Sequence, residues 1–310
     1  AEIRRRRLTL PFAVEVLAFG DEEGVRFPST LAGSSAVAGC FRATDLAVAD
    51  RDGVTLEAAL RAFGKDPAGI AAAAAEPGSA VAYLEVHIEQ GPVLEVEGEA
   101  LGVVIAIAGA TRAAIRVVGE AGHAGTVPMA MRRDALAAAA ELVLAVETVA
   151  RERDGVVATV GRMDVRPGTV NVVPGTVEMT LDLRAADDDV RHAAFAAVEA
   201  AATRIAAARR VGIVITTTHD QPTTPASETV QDVLAASLRS LGLPGRRLMS
   251  GAGHDGQAMA ALTEIGMIFV RCRGGVSHNP AEHASVDDMG LAVEALVRAI
   301  AGLAEREISR

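Results

Sequence analysis

Three apolar runs of strand length, each ending in a cluster of polar and glycine residues, set the strongest limit on how this 310-residue chain folds. "PFAVEVLAF" runs into "GDEEG", "VAYLEVHIE" into "QGP", and "IGMIFVRC" into "RGGVSHNPAEH". Continuous apolar runs fit strands covered on both faces of a mostly parallel sheet, because such strands have no solvated side on which to place polar residues. In open α/β sheets the ligand crevice lies beyond the carboxyl ends of the strands. The expectation is an α/β domain whose chemistry gathers at those three ends.

Between Thr111 and Gln221 the pattern changes. "TRAAIRVVGEAGHA", "GVVATVGRMDV", "GTVEMTLDLRA" and "GIVITTTHD" read as strands, and "RRDALAAAAELVLAVETVARER" and "DDDVRHAAFAAVEAAATRIAAARR" as helices, the second opened by acids suited to its positive end. The order β-α-β-β-α-β is the split βαβ, ferredoxin-like unit. Residues 111–222 are therefore expected to form an inserted ferredoxin-like α+β domain for dimerisation. Residues 1–110 and 223–310 form the mostly parallel-sheet α/β domain, which resumes near Ser227.

Half of the residues are hydrophobic, enough for a sizeable core. A net charge of -10, with "RRRR" at Arg4 to Arg7 as the one basic run, argues against nucleic acid and anionic membranes as partners. That run reads as the end of an exposed helix. Cys40 and Cys272 are too few and too far apart for a disulfide framework or a CxxC metal site. No apolar stretch reaches the ~20 residues that span a bilayer, and the amino terminus lacks the order of a signal peptide. The expected location is cytoplasmic.

The candidate chemistry sits at the strand ends. Adjacent carboxylates on an extended chain point apart, so Glu22 and Glu23 suit two jobs, one ligating a cation and the other handling a proton; the alternative is a solvated turn. His87 shares a strand face with Glu85 and Glu89, where a carboxylate can orient an imidazole. His278 follows a double glycine and precedes Asn-Pro, which presents its ring on a rigid loop. Two acids and two histidines at strand ends match the ligand set of Zn²⁺ or Mn²⁺ hydrolases. Arg184 alternates onto the polar face of "VEMTLDLR", either as an ion-pair partner of Asp182 or Glu178 or as a fork for a substrate carboxylate. His123 lies between glycines at a strand exit, and "GAGHDG" sets His254 and Asp255 before a helix start that favours an anion.

"AFGDEEGVRF", "YLEVHIEQGPVLE", "GHAGTVPMAMRRDALAAAAEL", "NVVPGTVEMTLDLR", "SGAGHDGQAMA" and "VRCRGGVSHNPAEH", in this order, resemble the allantoate amidohydrolase, ureidoglycolate amidohydrolase and N-carbamoyl-L-amino-acid hydrolase group of di-metal amidohydrolases, related to aminoacylases. The resemblance runs along nearly the whole chain, and two of the motifs are most similar to allantoate amidohydrolases. It implies two divalent ions, Mn²⁺ or Zn²⁺, with Glu23, His87 and His278 as ligands and Glu22 as the general base. It implies that Gln90, Asn171, Arg184 and His254 hold a small substrate bearing carboxylate and ureido groups, Arg184 on the carboxylate. It further implies a homodimer in which His123 reaches the partner's active site and stabilises the oxyanion.

The group also carries a His-x-Asp segment and a bridging aspartate before the Glu-Glu pair, and this sequence begins after the place where they would stand; Asp52 does not occupy it. The expectation is an amidohydrolase acting on allantoate, with N-carbamoyl amino acids as the alternative substrate. The reading of another class is a catalytically incomplete dimer that binds a small carboxylate without turning it over.

Overall fold

The computed structural model describes residues 1–308 and divides the chain into two compact units, one of Ala1–Ile107 with the chain from Thr224 onward, the other Ala108–Thr223. The first unit is built on a mixed sheet. Strand Ile265–Val270 is buried along its whole length. It pairs in parallel with Tyr83–Ile88 on one side and antiparallel with Leu101–Ile107 on the other. Arg247–Ser250 adds in parallel and Thr224–Pro225 antiparallel to the Leu101–Ile107 strand, so parallel and antiparallel ladders alternate in this α/β unit.

Helices Glu228–Ser240 and Val286–Ile308 cover one face, packing Val230, Leu234, Leu238, Ala295 and Ala299 against Leu101, Val103 and Ile268. Phe19, Leu94, Met259 and Met267 fill a second cluster with Val104, Ile107 and Phe269. The central strands are apolar on both faces because both faces are covered.

One expected strand does not form. The run Pro11–Phe19 joins no ladder, and Val16 is 90% exposed. An apolar pattern supplies side chains to bury, but a strand also needs a neighbour for its backbone N–H and C=O groups, and Tyr83–Ile88 pairs instead with Ile265–Val270. The arginine run does end a helix, Glu2–Arg5, where Glu2 pairs with Arg5 and Arg6.

The second unit carries antiparallel strands in the order Val156–Thr159, Thr176–Ala185, Gly109–Val118, Gly212–Gln221. This is the strand order that the split βαβ connection dictates. The stretch read from sequence as one strand, "GVVATVGRMDV", is two, Val156–Thr159 and Met163–Arg166, both paired with Thr176–Ala185. Thr159 faces Asp182 and Met163 faces Met179, leaving three residues around Gly161 opposite two, a bulge that splits the strand.

Helices Ala135–Arg151 and Asp188–Arg209 cover one sheet face. The first starts where Asp134 accepts hydrogen bonds from the N–H groups of Leu136 and Ala137, and the second where Asp187 accepts from Val190. Ala138, Leu142, Val146 and Val149 recur at helical spacing toward Ile115, Val177, Met179, Leu181 and Leu183. Alternation along Thr176–Ala185 sends Glu178, Thr180, Asp182 and Arg184 to the opposite, helix-free face.

The two faces of this strand make unequal demands. Leu181→Ala is expected to cost about 3 kcal/mol of unfolding free energy, and Thr180→Ala roughly 0.5 kcal/mol or less, measured by denaturant midpoints. Equal losses would contradict the assignment of faces.

Candidate active site

The parallel register aligns Ile88 with Val270, so the "HIEQGP" turn and the "RCRGGVSH" loop leave the sheet at the same end. Close approach of the two loops depends on Gly275, which has φ +63° and whose added Cβ would lie 3.0 Å from the Pro92 nitrogen. The "GDEEGVRF" loop joins them. The Asp21 carboxylate accepts from the N–H groups of Arg26 and Phe27 and so closes this loop as a turn. Asp21, Gln90 and His278 all adopt positive φ, of 55°, 56° and 54°. Non-glycine residues in that region cost free energy, and three of them here concentrate backbone strain where the loops meet.

Glu23 is the junction. Its carboxylate accepts from Gln90 Nε2 at 3.3 Å and lies 3.2 Å from His278 Nε2. The other His278 ring nitrogen is 2.8 Å from Ser277 Oγ, and the His278 N–H donates to Glu282. Glu22 is partly buried. Burial first, then the neighbouring charges of Asp255 and Glu23, push its carboxyl up to about 7, although His278 opposes them.

Behind these loops lies a buried set. Glu85 is pushed up to about 7, chiefly by burial, even though it accepts the Gly256 N–H at 3.0 Å. The acceptor at the "GAGHDG" turn is thus the chain's own Glu85. His254 is 1% exposed, its Nε2 2.5 Å from Ser250 Oγ, and burial lowers it to about 3, so it is neutral. Its ring meets the His87 ring edge-on at 4.3 Å between centroids, with Phe269 beside both. His87 Nδ1 lies 2.7 Å from the Ile88 carbonyl, which can only accept, so Nδ1 carries a proton. Burial also pushes up Asp255 and Tyr83. The Oδ1 atom of Asp255 and the Nδ1 atom of His254 are buried without a hydrogen-bond partner.

One sequence-based assignment changes: Glu89 does not orient His87 but caps helix Val93–Glu97 by accepting the N–H groups of Val93 and Leu94. Glu85 and Asp255, which the sequence set beside His87 and His254, belong to the cluster, and Ser250 and Tyr83 join it without having stood out in the sequence.

Among the described residues, no three His, Cys, Asp or Glu side chains stand together so as to hold a metal ion. Glu23 and His278 lie side by side, and His87 lies with the buried set.

The remaining candidates lie in the second unit. Gly122–His123 pairs with Val172–Val173, and the Ala124 N–H donates to the Asn171 carbonyl, so His123 and Asn171 are neighbours. His123 is exposed and its Nδ1 accepts the Gly125 N–H at 3.0 Å, which leaves Nε2 as the ring's donor. Arg184 donates to both oxygens of Asp182, at 2.7 and 2.8 Å. This fork keeps the Asp182 carboxyl below the usual range, with Arg112 adding to the effect. Arg184 is at the far end of its strand from Thr176, roughly 25 Å by strand rise, and the His123 turn adjoins the Thr176 end. Within one chain His123 and Arg184 do not meet.

With two adjacent glutamates, a strand-end histidine and a loop histidine in place, comparison with known proteins decides the lineage: residues 1–302 match peptidase family M20/M25/M40. The chain belongs to this family. It is 43% identical to a rice (Oryza sativa subsp. japonica) protein named "Probable allantoate deiminase", over 96% of this chain and 66% of that protein. It is 40% identical to the "N-carbamoyl-L-amino acid amidohydrolase" of Geobacillus stearothermophilus, over 95% of this chain and 72% of that one. A solved structure titled as a putative amidohydrolase/peptidase from Burkholderia cenocepacia superposes with TM-score 0.90 at 33% identity, covering 97% of this chain and 73% of the other. The chain thus spans about two thirds of the length of the rice relative. Among the described residues no helix is long and apolar enough to cross a membrane.

Glu85 gives this M20 site a pH signature. Its folded pKa, about 7, lies above the ordinary 4.5, so folding favours the protonated form and stability is lost as pH rises through 7. Relative to the parent, Glu85→Gln is expected to gain thermal stability between about pH 5 and about pH 8. A difference in melting temperature that stays flat across this range would contradict the assignment.

Proposed function

We propose that this chain is an amidohydrolase that cleaves the ureido C–N bond of allantoate, releasing ammonia and carbon dioxide. The observation that carries the reading is Glu22: a carboxyl held at about 7 beside Glu23, His278 and Gln90 in a member of the M20 family. A carboxyl poised near neutrality takes a proton from water and returns it to a leaving group within one cycle. The names of the rice and Geobacillus relatives support hydrolysis of such a bond.

In this reading Glu22 removes a proton from the water that attacks the ureido carbonyl, and Arg184 holds the substrate carboxylate through a charge-assisted fork. His123 donates Nε2–H to the oxygen on which negative charge develops. Gln90, Asn171 and His254 line the substrate, and collapse of the adduct passes the proton from Glu22 to departing ammonia. The carbamate that remains loses carbon dioxide. A divalent ion, when bound, would polarise the ureido carbonyl and acidify the attacking water, with Glu23, His87 and His278 as the residues that would hold it.

The separation of His123 from Arg184 favours a homodimer in which each substrate meets Arg184 of one chain and His123 of the other. N-carbamoyl-L-amino acids are the alternative substrates, on the strength of the Geobacillus relative. A carboxylate-binding dimer without turnover is the reading of another class.

Ammonia release from allantoate and from N-carbamoyl-L-alanine, in chelated samples and with added Mn²⁺ or Zn²⁺, tests the proposal. Activity is expected in the parent and, in Glu22→Gln, a loss of roughly a thousand-fold or more. No release under any condition would leave the binding reading in its place. Mixing inactive His123→Ala and Arg184→Ala chains is expected to restore about a quarter of the parent sites, because each mixed dimer rebuilds one complete site. Failure of mixed chains to recover activity would sink the shared-site dimer.

A further inference from the structure

Two bulges break the strand ladders of the second unit. Where Gly109–Val118 pairs with Gly212–Gln221, Arg112 faces His219 and Ala113 faces Thr217, which leaves Thr218 as an extra residue. On the other side of Thr176–Ala185 is the break around Gly161. Bulges recur beside functional sites, where they re-aim side chains. Residues of both bulges line a cavity of about 280 Å³, together with Arg112, Thr159, Thr180 and Asp182. Pockets that take a whole small molecule measure roughly 300–1,000 Å³, so this one suits a single arm of a ligand.

The lining offers donors and acceptors together. Arg112 meets Asp182 through Nε at 2.9 Å, which leaves its other N–H groups to serve a carbonyl oxygen. Thr159 and Thr180 bring hydroxyls that have no hydrogen-bond partner among the described residues. A hydroxyl accepts as well as donates, so these two serve N–H groups. A ureido group carries one acceptor oxygen and several N–H donors in one plane, the complement of this set. We propose that the cavity holds the second, uncleaved ureido group of the substrate and so selects allantoate over N-carbamoyl amino acids. This rests on the reading of the chain as an amidohydrolase of ureido compounds.

The selection follows from what an apolar side chain would do in the same place. It would take water from Arg112 and the hydroxyls and return no hydrogen bond, and a site built to hydrogen-bond a substrate group rejects analogues that lack it. Gly161 gives the means to close the cavity. Its backbone lies outside the left-handed region, and an added Cβ would meet only Thr180 Oγ1, at 3.9 Å. Gly161→Val therefore adds bulk beside Thr180 without straining the chain.

The experiment is calorimetric titration of the full chain carrying Glu22→Gln, which blocks turnover, in chelator and again with Mn²⁺. The ligands are allantoate and N-carbamoylglycine, which is allantoate without the second ureido group. Allantoate is expected to bind roughly ten-fold tighter or more. Adding Arg112→Met or Gly161→Val is expected to bring the ratio of the two affinities close to one, and any effect on the shared part of the ligands cancels in that ratio. Either variant carries the test if the other does not fold. A ratio near one before these changes, or one that either folded variant leaves intact, overturns the subsite and leaves the amidohydrolase reading standing. Binding of neither compound in either condition removes that reading and the subsite with it.

Discussion

The parallel pairing of Tyr83–Ile88 with Ile265–Val270 is the constraint on which the candidate site depends. Residues 182 positions apart in sequence become neighbours, and because the strands run the same way their following loops leave at one end. His87 and Gln90 belong to one loop end and His278 to the other, and Glu23 closes the gap by meeting both Gln90 and His278. A shift of one residue in this register would turn His87 to the other face of the sheet.

Burial then sets the chemistry. Glu22, Glu85 and Asp255 are carboxyl groups drawn into surroundings short of water, and each is pushed toward its protonated form first by that desolvation. His254 is driven the opposite way by the same cause and stays neutral. Desolvation of this kind favours the neutral forms and so lessens the repulsion among the clustered acids. In the second unit the solution is different: Asp182 stays ionised because two guanidinium groups surround it.

Much of this was legible in the residues. The helix and strand order of the inserted unit follows from hydrophobic period, and the caps Asp134 and Asp187 stand where the periodic runs begin. Glu22, Glu23, Gln90 and His278 stood out as polar residues after apolar runs, and the structure gathers them. The Pro11–Phe19 run misled because apolar content reports what a segment can bury and not whether a strand lies beside it. Glu89 misled because face-sharing with His87 is equally compatible with capping the helix that follows.

By itself the sequence determined the class of the fold, the family, and the residue types available at the loop ends, because these depend on local period and on motifs short enough to read along the chain. Only the tertiary structure decided which oxygen faces which nitrogen: that Glu85 takes the Gly256 N–H, that Glu23 faces His278, that Asp182 pairs with Arg184, and that His123 and Arg184 lie toward opposite ends of one strand. Apart from the Asp182–Arg184 pair, such contacts join positions far apart in sequence. Their energies turn on desolvation and on separations of a few ångströms, and these exist only once the chain has packed.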